Sequence, residues 1–160
     1  MSDILAVFPG TFDPITLGHL DVISRASRLF DRIYVAAADS PSKHTLFSLD
    51  DRLKFIEAAC ANFSNVKAFS FRGMLVDFLN ENHADILIRG IRTAVDFDYE
   101  RQLFGMYRVL MPNMEIVMLP AENAVSYISS SMVREVIIHH GDCRNFLPAE
   151  VVPLISSPKR

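Results

Sequence analysis

Apolar positions along this chain fall into short runs and helical stripes that alternate almost without a break. Residues 4–8 form an apolar run of buried-strand length, and across 19–30 the positions Leu20, Ile23, Ala26, Leu29 and Phe30 recur at helical spacing. Asp21, Arg25 and Arg28 fall on the opposite face. Residues 33–38 make a second strand. Ser48 and Asp51 carry the spacing of a capping box that opens a helix over 49–61. Residues 66–71 alternate weakly, as an edge strand does, and 74–82 put Leu75, Val76, Phe78 and Leu79 on one helical face. A fourth strand over 85–88 ends at Arg89-Gly90, and a long helix over 96–110 is stopped by Pro112 and Asn113. Residues 115–119 form a fifth strand, 120–129 a loop, and 130–140 a helix that opens on serines and ends at Gly141. A last short helix is expected over 146–155, broken by Pro153.

Strands that alternate with helices imply a parallel sheet with right-handed crossovers, covered by helices on both faces. The reading is a doubly wound α/β fold in one domain over 1–160, with five strands in the order 3-2-1-4-5. In such sheets ligands bind beyond the carboxyl ends of the strands, where the strand order reverses. The polar residues of interest follow that rule: Thr11 to His19 come after strand one, Lys43 after strand two, Arg89 and Arg92 after strand four, and Ser126 to Ser131 after strand five.

The stretch 8–20 reads Phe-Pro-Gly-Thr-Phe-Asp-Pro-Ile-Thr-Leu-Gly-His-Leu. Strand, turn and helix in that order aim the helix N–H groups and its positive dipole end at the strand's carboxyl edge, a suitable place for an anion. Composition narrows the anion. A formal net charge of -3 argues against nucleic acid or an acidic membrane as partner, because both need a broad basic face. An anionic ligand must therefore meet a local cluster of Lys and Arg. Cys60 and Cys143 lie outside any Cys-x-x-Cys spacing and read as reduced thiols, and no apolar run reaches membrane-span length. The opening residues lack a basic region followed by a signal core, so a cytoplasmic protein is expected. His139 and His140 are adjacent, do not share a helix face, and read as surface residues and not as metal ligands.

A P-loop, a Gly-x-Gly-x-x-Gly fingerprint, a Gly-x-Ser-x-Gly elbow and a His-Glu-x-x-His pair are all absent, which disfavours P-loop kinases, Rossmann dehydrogenases and serine hydrolases. Present instead is Thr16-Leu17-Gly18-His19, joined to Gly10-Thr11-Phe12-Asp13-Pro14. This resembles the T/H-x-G-H signature of the nucleotidyltransferase superfamily. Pro41-Ser42-Lys43, Arg89-Gly90-Ile91-Arg92 followed by Asp96-Phe97-Asp98-Tyr99-Glu100, and Ser126-Tyr127-Ile128-Ser129-Ser130-Ser131 extend the match over nearly the whole chain. Together they resemble the bacterial phosphopantetheine adenylyltransferase family.

That resemblance implies a Rossmann-like nucleotidyltransferase fold and adenylyl transfer from ATP to 4'-phosphopantetheine. It assigns His19 to transition-state stabilisation, and Thr11, Lys43, Leu75 and Arg89 to the acceptor. To ATP it assigns Thr11, Phe12, His19, Gly90, Ile91, Arg92, Glu100, Val125, Ser126, Tyr127, Ile128, Ser129, Ser130 and Ser131. Magnesium would ride on the ATP phosphates, with no metal ligands from the protein itself. A homohexamer is implied as well, with coenzyme A as a candidate feedback ligand. Val125 departs from the aromatic residue many members carry, and Asp98 from the commoner Glu. Two alternatives remain open: adenylyl or cytidylyl transfer to another phosphorylated acceptor, and a nucleotide-binding regulator without turnover. Arg89 could also simply pair with Asp85 or Glu115, and the apolar excess of the helix over 96–110 could serve the core or a subunit contact.

Overall fold

The computed structural model of the chain describes residues 3–39, 42 and 44–155. Five parallel strands, β1 (Leu5–Gly10), β2 (Arg32–Asp39), β3 (Val66–Arg72), β4 (Ile86–Ile91) and β5 (Glu115–Pro120), lie in the order β3-β2-β1-β4-β5. Five helices connect or follow them: α1 (Leu17–Ala26), α2 (Leu49–Cys60), α3 (Leu75–Glu81), α4 (Ala94–Leu110) and α5 (Ser130–Ile138).

The period-2 alternation of the strands sorts side chains onto the two faces. Ala6, Phe8, Ile33, Val35, Ala37 and Ile88 pack with Val22, Ile23 and Ala26 of α1 and with Phe55, Ile56 and Ala59 of α2. On the opposite face Val7, Ala36 and Leu87 meet Val76, Phe78 and Leu79 of α3, with Met111 and Met114. A third, smaller cluster joins Ile128, Val133 and Ile137 to Leu147 near the carboxyl end.

Several boundaries depart from the sequence expectation, each for a local reason. Helix α1 begins at Leu17 and not at His19, because Thr16 is its N-cap and its side chain accepts the His19 N–H. It stops at Ala26, short of Phe30, and Leu29 is left 61% exposed with no core contact to hold a further turn. Strand β4 continues through Arg89 and Gly90, which pair with Met118 and Leu119, so these residues sit on a strand and not in a loop. The segment expected as a helix over 146–155 forms only a 3-10 turn at Val152–Leu154, since Pro148 and Pro153 each lack the N–H a helix needs there. The apolar excess on α4 does not enter the core: Glu100 is its one buried residue, while Val95 and Val109 are 77% and 80% exposed.

The register between the middle strands shapes the site. Strand β1 pairs with β2 along its whole length, to Gly10↔Ala37. Its pairing with β4 is confined to Ala6↔Ile86 and Val7↔Leu87. Beyond Val7 the two strands part, at the point where strand order reverses, and a crevice opens between them.

Candidate active site

The crevice is a cleft of about 610 Å³. Its lining includes Phe8, Pro9, Gly10, Thr11 and Phe12 from the end of β1, Gly18 and His19 from α1, Arg89, Gly90 and Arg92 from β4 and beyond, and Ser129, Ser130, Ser131 and Arg134 from α5.

The turn between β1 and α1 is held from below and from both sides. Asp13, 1% exposed, accepts the Leu46 N–H at 2.8 Å and the Phe47 N–H at 2.9 Å, one on each carboxylate oxygen. Arg134 donates to the Asp13 backbone carbonyl at 2.8 Å and to Ser131 Oγ at 3.0 Å, and its Nη1 lies 3.7 Å from the Asp13 carboxylate. Ser130 Oγ donates to the Pro14 carbonyl at 2.9 Å. Arg52, 1% exposed, reaches up from α2 and donates from Nη1 to the Thr11 and Ala38 carbonyls. Burial lowers the Arg52 pKa, against the opposing pull of Asp13 and Asp39.

Phe12 has φ of 49°, a left-handed conformation costly for an aromatic residue. That conformation turns its ring inward, to 2% exposure, edge-on to Phe8 at 5.5 Å and to His19 at 4.9 Å between centroids. Gly10 accommodates it, since a Cβ there would stand 3.0 Å from the Phe12 ring. The ring of Phe12 is thus a prop for the imidazole, and any part it plays toward a nucleotide falls to its backbone.

His19 is fixed in one tautomer. The Thr16 backbone N–H, which can only donate, points at His19 Nδ1 from 3.0 Å, so Nδ1 carries the lone pair and Nε2 the proton. Desolvation in the cleft, helped by the charge of Arg92, holds the His19 pKa down at about 4. The ring is therefore a neutral N–H donor at physiological pH. Because the unfolded chain takes up this proton near pH 6.5 and the folded chain only near 4, unfolding free energy should rise with pH between those values. Urea titrations at a series of pH values would show the slope, and it should flatten in His19→Ala.

Arg89 and Glu100 form a two-pronged pair: Arg89 Nε and Nη2 donate to the two Glu100 oxygens, each at 2.7 Å. Glu100 is 8% exposed and stands behind the guanidinium, outside the cleft lining. Its carboxylate orients Arg89, which lines the cleft. Asp85 and Glu115, the partners weighed from sequence, are engaged elsewhere: Asp85 accepts the Leu5 N–H and Glu115 binds Arg108.

Of the residues singled out from sequence, Thr11, Phe12, His19, Arg89, Gly90, Arg92, Ile128, Ser129, Ser130 and Ser131 line this one cleft. Leu75, Ile91, Glu100, Val125, Ser126 and Tyr127 do not. Leu75 packs against the core beside α3, and Tyr127 is 59% exposed. Lys43 lies outside the described residues, though His44 and Thr45 next to it line the cleft. Asp13, Thr16 and Arg134 were not picked out as site residues. Asp13 and Thr16 stood inside the quoted motifs, whereas Arg134 follows the serines on a helix where a lone Arg reads as a solvated charge.

A cleft at the switch point of a parallel sheet, with a neutral imidazole donor, two helix starts and three arginines around it, defines a nucleotidyltransferase. A family model described as cytidylyltransferase-like matches residues 7–136, from β1 into α5. The chain is 48% identical over 151 residues to the phosphopantetheine adenylyltransferase of Tolumonas auensis, covering 94% of this chain and 92% of that one. It belongs to the phosphopantetheine adenylyltransferase family. Among solved structures, a putative nicotinate-nucleotide adenylyltransferase from Vibrio parahaemolyticus superposes with a TM-score of 0.76 at 19% identity, over 97% of this chain and all (100%) of that one. A lipopolysaccharide core biosynthesis protein from Thermoplasma volcanium gives 0.58 at 22% identity, over 75% and 98% of the two chains. These two share the fold.

Proposed function

We propose that this protein transfers an adenylyl group from ATP to 4'-phosphopantetheine, giving dephospho-coenzyme A and pyrophosphate. The observation that carries the chemistry is the neutral His19 with its proton on Nε2, set between the N-terminal ends of α1 and α5. An acceptor phosphate is largely dianionic near neutral pH, with a second pKa of about 6, so it is its own nucleophile and no strong general base is needed. One of its oxygens bonds to the α-phosphorus of ATP, the bond from that phosphorus to the bridging α,β-oxygen breaks, and pyrophosphate leaves. The protein's task is to bring two anions into line and to offset the charge that gathers on the α-phosphate.

His19 Nε2–H supplies that offset, with the positive end of the α1 dipole behind it. Arg89, held by Glu100, and Lys43 serve the acceptor phosphate, while Leu75 serves the pantetheine arm. Thr11 serves both substrates. Arg92, Gly90, Ile91 and the segment Val125 to Ser131 serve ATP, and the serines with Arg134 at the start of α5 receive the departing pyrophosphate. Glu100, which the resemblance assigns to ATP, acts through Arg89 and so on the acceptor phosphate.

Enzymes of this kind generally use a divalent cation. Among the described residues no group of three His, Cys, Asp or Glu could hold one, and Asp13 has both oxygens occupied by backbone N–H groups. The cation, Mg2+, is therefore read as part of the ATP substrate, with water completing its shell. No helix among the described residues is long and apolar enough to cross a membrane, and we place the reaction in the cytoplasm. The homohexamer and the feedback ligand coenzyme A follow from the family resemblance, and the exposed apolar residues of α4 are the candidate subunit contact.

The deciding experiment is a panel of phosphorylated acceptors offered with ATP or CTP while pyrophosphate release is followed. ATP with 4'-phosphopantetheine should give the highest kcat/KM. Preference for another acceptor or for CTP, or no release with any pair, would overturn the assignment.

A further inference from the structure

We propose that Asp21 and Arg25, on the flank of α1, are positioning residues for the nucleotide: they latch the 121–129 segment to the same helix that presents His19. The proposal rests on the reading above, in which Val125 to Ser131 serve ATP.

Asp21 and Arg25 stand one helical turn apart, and Arg25 Nη2 donates to Asp21 Oδ2 at 2.8 Å. Their side chains are 23% exposed for Arg25 and 18% for Asp21, too enclosed for an ordinary surface pair. What encloses them is the chain leaving β5. The same Nη2 donates to the carbonyl of Pro120, the last residue of that strand, and Asp21 Oδ2 also accepts the Glu122 N–H at 3.2 Å. One carboxylate oxygen and one guanidinium nitrogen thus hold both sides of the first turn after the sheet. The Arg25 Nε is buried without a hydrogen-bond partner, so the guanidinium is placed to serve Pro120 and Asp21 at the expense of its own third donor.

The segment is pinned at its far end as well. Arg92 reaches the Ile128 carbonyl at 3.4 Å, and the Val125 and Ile128 carbonyls stand beside Gly18 of α1, 3.5 and 3.6 Å from where a Cβ would lie, an ordinary contact distance. Between the pins, two turns, Val125 N–H to Glu122 O and Ile128 N–H to Val125 O, give the segment its shape. Releasing the near pin leaves the Ala121 N–H to the Ile91 carbonyl, at 2.8 Å, as the remaining tie at that end, and that tie runs to β4 and not to α1. A latch on α1 therefore sets the spacing between the His19 donor and the residues that receive ATP, without touching either substrate.

Steady-state kinetics of the full chain with Mg-ATP and 4'-phosphopantetheine test this. Asp21→Ala and Arg25→Ala should each raise KM for ATP by about fivefold to tenfold, the net worth of one ordinary hydrogen bond, with kcat and KM for the acceptor within about twofold. The double variant should match the worse single one, because both side chains act through one joint. Asp21→Asn keeps an acceptor for Glu122 and should fall between wild type and Asp21→Ala. If the Ala variants do not fold, Asp21→Asn and Arg25→Lys carry the test, and an unchanged KM for ATP in both overturns the latch. A fall in Tm with KM for ATP unchanged also overturns it, leaving a merely structural pair. Wild-type protein that fails to turn over ATP and 4'-phosphopantetheine refutes the functional reading instead, and calorimetric ATP affinity then decides the latch by the same comparison.

Discussion

His19→Ala should lower kcat by about a hundredfold or more, with KM for ATP changed by less than about threefold, because the donor lost is one whose partner charge exists only as the reaction proceeds. Its geometry supports so large a share. Nδ1 is occupied by the Thr16 N–H at 3.0 Å, Phe12 packs against the ring at 4.9 Å, and the depressed pKa of about 4 keeps the second nitrogen protonated in a neutral ring. The donor is therefore oriented before substrate arrives and costs nothing to reorganise in the transition state. A neutral ring also means that the rate should not track a histidine titration near pH 6.5. Single-turnover rates from pH 5 to 8 in wild type and variant would check both points. Equal losses in kcat and in ATP affinity would recast His19 as a ground-state contact.

The largest loss of stability should come from Asp13→Ala. Its carboxylate is 1% exposed and accepts two backbone N–H groups from 46–47, while Arg134 approaches from α5. Removing it strands two donors at about 1 to 3 kcal/mol each, about 2 to 6 kcal/mol together, and leaves Arg134 without its counter-charge. Against a typical stability of about 5 to 15 kcal/mol, that lowers the urea midpoint severely. Asp13→Asn keeps one acceptor and should lose about half as much. Activity should fall with stability in Asp13→Ala, since the 46–47 segment and α5 both meet the β1–α1 turn at this residue. A loss below about 1 kcal/mol would show that the turn holds its shape without the carboxylate.

The residues that sequence reading grouped and the residues that structure grouped differ in an instructive way. Arg89 was legible because it ends an apolar strand, and its place in the cleft follows from the sheet order. That Glu100 lies behind it was not: eleven residues separate the two, and only the packing of α4 on β4 turns that carboxylate away from the cleft. Thr16 was legible as part of a motif, yet its effect on His19 depends on an N–H direction set by the helix cap. Asp13 and Arg134 act across 33 and 121 residues of chain, through contacts that no local pattern encodes.

By itself the sequence determined the five strands and the five α-helices, though not the 3-10 turn that replaces the expected last helix, together with the order of the strands and the edge of the sheet where the chemistry gathers. It could do so because strand and helix periodicities are local, and because crossover handedness leaves few ways to order the strands. Only the tertiary structure decided that β1 and β4 part beyond Val7 to open the cleft, that Phe12 turns inward beneath the imidazole, and which nitrogen of His19 carries its proton. Those features depend on hydrogen bonds and desolvation between distant segments, and such terms come into being when the chain has folded.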